Sequence, residues 1–216
     1  MALNLRTPSR PIASLVSFFN LIKNALRGVF YFESVQSPMP LTQSAPREAL
    51  HHRAISARGY KRNDGLFEVE AHLHDTKSFD FKLVSGVREA NTAIHEMWLR
   101  LTYDTTLTII DAEAATDAAP YAGTCGTITP KYKLLIGMSM RPGFSEHVRH
   151  AFGGVAGCTH LTDLISIAAT TAFQNLAGQL PSDATRQPYP LNRCHALALA
   201  GAVVATHYPQ WHKPSN

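Results

Sequence analysis

The chain has 216 residues, 45% hydrophobic and 17% charged, with 13 Gly, 13 Pro and 3 Cys. Such a composition excludes a collagenous or low-complexity chain and a disulfide framework, and a chain of this length buries a core without staples. The formal charge of +4 is mildly basic, but residues 1–38 carry Arg6, Arg10, Lys23 and Arg27 against Glu33, so +3 resides there and only +1 in residues 39–216.

Within residues 11–30, Ile12, Leu15, Phe19, Ile22, Leu26, Val29 and Phe30 recur at helical spacing, with Lys23 and Arg27 on another face. Lys23 interrupts the run before the roughly 18–20 apolar residues that a membrane span needs. No small-residue signal-cleavage site follows. Two readings are open: an interfacial amphipathic helix, or a mis-called start with translation beginning at Met39. Residues 39–216 are expected to form a single domain behind a doubtful extension, and membrane association is expected only if residues 11–30 are genuine.

Residues 54–60 and 66–74 have strand character and flank Asn63-Asp64-Gly65, a hairpin signal because Gly accepts the positive φ of a tight turn. Phe67, Val69, Ala71 and Leu73 alternate with Glu68, Glu70, His72 and His74, and Asp75-Thr76-Lys77 ends the strand. Residues 85–92 read as a loop. Residues 94–103 and 107–112 make a second strand pair around Asp104-Thr105-Thr106. There His95 extends the apolar face of Met97, Leu99 and Leu101, and Asp111 and Glu113 continue the face of Leu107 and Ile109.

Past Pro120 the pattern turns helical. Residues 144–152 form a short candidate, and residues 162–176 the clearest helix, with Leu161, Leu164, Ile165, Ala168, Ala169, Ala172, Phe173 and Leu176 on one face. Residues 180–191 hold three prolines and read as a loop, and residues 202–208 read as a strand. Strands first and helices later predict an α+β fold, an antiparallel sheet of two or more hairpins packed against C-terminal helices.

Three constellations could carry chemistry. Glu70 and His72 on a strand face offer a proton donor and acceptor, unless that face is simply wet. His95 with Asp111 or Glu113 is the expected proton-transfer pair, with Asp75 near the strand end. Lys77 and Arg100 would hold an anionic group or stabilise an oxyanion. The carboxylates pairing with Arg100 as a structural network is the competing reading. The cysteines are the third: Cys158-Thr159-His160, Cys194-His195 and Cys125 could supply thiolate and imidazole to Zn or Fe, although this spacing is weaker than paired C-x-x-C knuckles. Cys158 at a helix N-terminus would feel a dipole that favours thiolate, with His160 as a base. Buried inert thiols are the default. No phosphate-cradling loop, dinucleotide fingerprint or interleaved basic–aromatic surface is present, so neither a nucleotide cofactor nor nucleic acid is expected.

The phrases from Arg58-Gly59-Tyr60 to Gly65-Leu66, Leu73-His74-Asp75-Thr76-Lys77, His95-Glu96-Met97-Trp98-Leu99-Arg100-Leu101-Thr102, Gly157-Cys158-Thr159-His160-Leu161 and Cys194-His195-Ala196-Leu197 resemble a bacterial family defined by a domain of unknown function. Tyr208-Pro209-Gln210-Trp211 fits too. The resemblance runs over residues 45–211, and it implies a start near Met39. One departure is Ala198-Leu199-Ala200-Gly201-Ala202, where relatives are more polar. The resemblance marks Asp75, Lys77, His95, Arg100, Asp111, Glu113, Cys158, His160 and Cys194 as a functional set and assigns no roles. The expectation is a cytoplasmic enzyme, a lyase or hydrolase using acid–base chemistry on a small anionic molecule, with homo-oligomers open. The alternative is a non-enzymatic small-molecule-binding or accessory protein with a structural Cys/His metal site.

Overall fold

The computed structural model describes residues 41–180 and 185–214, and every element lies in one compact unit, Glu48–Asn216. The expectations for residues 1–38 fall outside the described residues. Four long strands, β1 (His51–Lys61), β2 (Phe67–Lys77), β5 (Ala93–Tyr103) and β6 (Ile109–Ala118), form an antiparallel sheet in the order β1-β2-β5-β6. The first turn is the expected one: Gly65 takes φ +87°, Arg62 N–H donates to Leu66 O and Leu66 N–H to Asp64 Oδ1. In the second hairpin, Asp104 Oδ1 accepts from the N–H groups of Thr106 and Thr108, an Asx-type cap on the turn.

Strand alternation decides which face meets the core. Val69, Ala71 and Leu73 of β2 and Met97, Leu99 and Leu101 of β5 are essentially inaccessible, while their neighbours face outward. Over this face lie α1 (Phe144–Phe152) and α2 (Thr159–Leu176). Leu161, Leu164, Ile165, Ala168 and Ala172 form the buried stripe of α2, and each fully buried Leu contributes about 1.5–3 kcal/mol. The fold is α+β, a hairpin sheet covered by later helices, as the sequence pattern predicts.

Three local departures have physical causes. Residues 202–208 are not a strand: α3 (Ala202–His207) buries only Val204 and leaves its neighbours open, the period of a helical turn. The predicted loop at 85–92 contains β4 (Gly86–Arg88), paired with β3 (Phe81–Leu83) in a two-stranded ribbon too short to show alternation. In β6 the pairing shifts between Tyr103↔Ile109 and Thr102↔Asp111. That bulge inserts Ile110 and reverses the face of everything after it. Ala112 is therefore buried, and Asp111 and Glu113 project to solvent rather than continuing the face of Ile109.

Helix α2 starts at Thr159, three residues before the predicted start at 162. Its N-cap, Cys158, makes no side-chain cap. The phenol of Tyr132 substitutes: it accepts from Cys158 N–H at 3.0 Å, donates to Cys158 O at 3.1 Å and lies 3.2 Å from Thr162 Oγ1. Tyr132 is fully buried at the base of a run of 3-10 turns, Cys125–Leu135, and stacks on Phe152 of α1. This contact fixes where the first turn of α2 meets the sheet.

Candidate metal centre

The apolar face of the sheet ends in polar residues, and register aligns them. Arg53 of β1 pairs with Asp75 of β2, and Asp75 pairs with His95 of β5, so the three stand in one row across three strands. A bulge between Asp75 and Thr76 closes the row. The first turn of α2 descends onto it and brings His160, whose ring stacks on His95 with centroids 3.8 Å apart.

Asp75 is 1% exposed and is the hub of this cluster. Arg53 donates from Nε to Oδ1 and from Nη2 to Oδ2, both at 2.8 Å, a bidentate fork that fixes the carboxylate plane. His51 Nε2 lies 3.5 Å from Oδ1. On Oδ2 converge His95 Nδ1 at 3.3 Å and His160 Nε2 at 3.7 Å. One donor atom each from Asp75, His95 and His160 fall within 4.8 Å of one another. Donors bound about 2.1 Å from one tetrahedral ion are about 3.4 Å apart, so the two measured separations suit a shared ion.

Two further observations fit the chemistry of ligands. His95 Nδ1 is buried and has no hydrogen-bond partner, because its 3.3 Å approach to Asp75 is not aligned for one. A buried ring nitrogen without a hydrogen-bond partner, facing a carboxylate, is available to serve as a ligand. Burial, reinforced by the charge of His160 and only partly opposed by Asp75, lowers the His95 pKa from 6.5 to about 4. Burial, then the charge of Arg53, lowers His160 as well. Both rings are thus neutral at pH 7, the form that ligates. Burial alone would raise Asp75, but the hydrogen bonds and charge of Arg53, with His51 and His95, bring it below the usual carboxylate range.

The other residues singled out in the sequence are elsewhere. Asp111 accepts from Lys133 at 2.7 Å on the surface, so it does not pair with His95; Glu113 accepts from Arg100, which also donates to Glu70. Both carboxylates were displaced by the bulge, and the competing structural network is what Arg100 makes. His72 stacks on Trp98 at 3.7 Å and meets Glu96 at 3.2 Å on the same open face. Lys77 lies over the Phe81 ring at 5.5 Å. Cys125, Cys158 and Cys194 are free thiols, and among the described residues no group of three donors includes any of them. The expected Cys/His set is not brought together, because Cys125 opens the 3-10 run and Cys194 is exposed before a short turn, His195–Leu197; the three donors that do converge are Asp75, His95 and His160. Cys158 stays beside the centre, with Sγ 4.0 Å from His160 Nδ1. Sequence reasoning missed His51 and Arg53, and it assigned His160 to the cysteines.

Two surface concavities lie away from the centre. One, of about 630 Å³, surrounds the first turn at Arg62 and Glu68. The other, of about 400 Å³, lies between Ser139 and His147. Among the described residues, no helix is long and apolar enough to cross a membrane.

Fold and site together define a small α+β protein with a buried carboxylate–imidazole cluster at one end of its sheet. The chain belongs to the family described as Protein of unknown function (DUF2889), whose profile matches residues 51–174 and so contains Arg53, Asp75, His95 and His160. No curated protein and no solved structure matches the chain.

Proposed function

We propose that the protein is a metal-assisted hydrolase or lyase acting on a small anionic organic molecule, with Asp75, His95 and His160 holding a divalent transition ion such as Zn or Fe. The observation that carries this reading is the convergence of two neutral imidazoles on one oxygen of a buried carboxylate. A His₂-carboxylate set would leave coordination positions open on a bound ion, which would supply Lewis-acid polarisation of a substrate oxygen and a more acidic water. The chain's own part is positional. Arg53 locks the carboxylate, the row Arg53–Asp75–His95 sets ligand spacing through strand register, and Tyr132 sets the height of His160 through Cys158. With the ion in place, it and Arg53 outweigh Asp75 and Asp163, so the end of the sheet is net positive and attracts an anion. Partly exposed His51, 3.5 Å from Asp75 Oδ1, would be a further proton carrier beside the site. Three free thiols support a reducing compartment such as the cytoplasm.

One observation favours an accessory protein that holds metal without turnover: the two concavities do not reach the centre. The test is metal analysis of the purified full chain, then Co(II) reconstitution, then a panel of small carboxylate esters, lactones and hydroxy acids with and without chelator. One ion per chain, lost in His95→Ala and Asp75→Asn, with chelator-sensitive turnover of an anionic substrate, is the expected result. Bound metal without turnover selects the accessory role. No Co(II) binding overturns both.

A further inference from the structure

The ring of His160 has two edges, and the second faces different chemistry. Its Nε2 points to Asp75, whereas its Nδ1 lies 4.0 Å from Cys158 Sγ, which lies 3.8 Å from Met97 Sδ. The thiol at the N-cap of α2 is thus flanked by a thioether from the core of β5 and an imidazole from the first turn of α2. Met97 is 1% exposed, and Cys158 is partly buried against the core. Tyr132 clamps the Cys158 backbone on both its N–H and its carbonyl, so the thiol is presented from a fixed position.

We propose that Cys158, Met97 and Nδ1 of His160 form a second cation site, selective for a soft monovalent ion of the Cu(I) type, whose occupation competes with the divalent ion for the same imidazole. The two separations from Cys158 Sγ are of the size that three-coordinate binding requires. With metal–sulfur bonds of about 2.3 Å and metal–nitrogen bonds of about 2.0 Å, planar coordination puts sulfurs about 4.0 Å apart and sulfur and nitrogen about 3.7 Å apart. The separations of 3.8 and 4.0 Å need only small adjustment. Selectivity follows from the donors: a thioether is a poor ligand for Zn(II) or Mg(II), and a thiolate–thioether pair prefers Cu(I). The neighbours are apolar core, so a single positive charge balanced by one thiolate is tolerated where a divalent ion would be left unbalanced.

Competition follows from the imidazole itself. A neutral ring has one bare nitrogen and one N–H. When Nε2 is bare and faces the divalent ion, Nδ1 carries the proton toward Cys158. When Nδ1 binds the soft ion, Nε2–H faces Asp75 as a donor. One ring cannot serve both ions without losing its last proton. The soft site stands on Cys158, Met97 and the Nδ1 edge of His160 whether or not a divalent ion binds at Nε2; only the competition rests on the divalent reading above.

The test is anaerobic titration of the reduced full chain with Cu(I) against a chromophoric chelator, in the wild type and in Cys158→Ser, Met97→Leu, Asp75→Asn and a Cys125→Ser/Cys194→Ser variant. One Cu(I) per chain is expected, weakened about 100-fold by Cys158→Ser and about 10-fold by the volume-conserving Met97→Leu. It should be unchanged in the Cys125→Ser/Cys194→Ser variant and weakened less by Asp75→Asn, which alters the acceptor facing His160 Nε2–H, than by Cys158→Ser; it should also release Co(II) from the loaded wild type. Circular dichroism of each variant guards against misfolding. Cu(I) affinity unmoved by both Cys158→Ser and Met97→Leu overturns the site. Cu(I) bound as expected without release of Co(II) overturns the shared ring. A chain that binds Cu(I) through Cys158 but never binds Co(II) upholds the soft site and discards the divalent reading with the competition.

Discussion

Arg53 reaches across the strand pair and grips both oxygens of Asp75, each at 2.8 Å, although Arg53 is 35% exposed and Asp75 only 1%. The pair is asymmetric in what its loss costs. Arg53→Met leaves a carboxylate inaccessible to water and without its cation. Removing one partner of a fully buried ion pair costs about 3–5 kcal/mol, and the exposure of Arg53 brings the expected loss to about 2–3 kcal/mol. Urea unfolding of the variant should show this as a lower midpoint at unchanged slope. Arg53→Met combined with Asp75→Leu removes the stranded charge and should recover part of the loss.

Acid should weaken the metal-free protein through His95 before Asp75 is protonated. His95 is held at about 4 in the folded chain against 6.5 when unfolded. Between these values the unfolded state binds a proton that the folded state refuses, so stability is intact above pH 6.5 and falls as pH drops toward 4. The full effect is on the order of 3 kcal/mol. His160, also lowered, adds in the same direction. Asp75, whose folded pKa is depressed, loses its contribution only below about 3.8. Chemical denaturation of chelator-treated protein at pH 7.5, 6, 5 and 4 should trace this decline. His95→Gln should flatten it, and an unchanged slope in that variant would show that His95 is not the group responsible.

How much of this was legible in the sequence depends on range. The Asp64-Gly65 turn, the alternation of β2 and the apolar stripe of α2 are local patterns, and they appear where the periodicities place them. The site is not local. Asp75 continues the run Phe67, Val69, Ala71, Leu73, and His95 begins the run Met97, Leu99, Leu101, so each was visible as a polar residue ending an apolar face. That the two ends coincide requires the register Asp75↔His95, and His160 requires the landing point of α2, which Tyr132 decides. Asp111 and Glu113 mislead because one inserted residue, Ile110, shifts the count by one, and no composition signal announces a bulge.

Gly59 is required by a neighbour rather than by its dihedral angles. A Cβ at this position would stand 2.6 Å from Asn175 Cγ. Asn175 cannot step aside cheaply, since its Nδ2 donates to Tyr60 O at 3.0 Å and to Tyr103 Oη at 2.8 Å. These contacts tie the C-terminal end of α2 to β1 and β5. Gly59→Ala should therefore destabilise by about 1–3 kcal/mol, against the usual benefit of Ala in a strand. Thermal unfolding of Gly59→Ala, Asn175→Ala and the pair should show a double change smaller than the sum of the singles, because truncating Asn175 removes most of the atoms that the new methyl meets. Additive losses would separate Gly59 from Asn175.

The open face of the sheet provides the contrasting prediction. Arg58, Glu70, Arg100 and Glu113 stand in register across all four strands with alternating charge, and Arg100 donates to Glu70 at 2.9 Å and to Glu113 at 3.0 Å. Arg100 is 47% exposed and Glu113 64%, so water and salt screen the network and each contact is worth little. Arg100→Gln and Glu113→Gln should each change stability by less than about 1 kcal/mol. More tellingly, neither should alter metal content, Co(II) affinity or turnover, because the sheet itself separates this face from Asp75, His95 and His160. Loss of metal or activity in Arg100→Gln, with folding intact, would move the functional centre to the solvent face and refute the assignment made from the buried cluster.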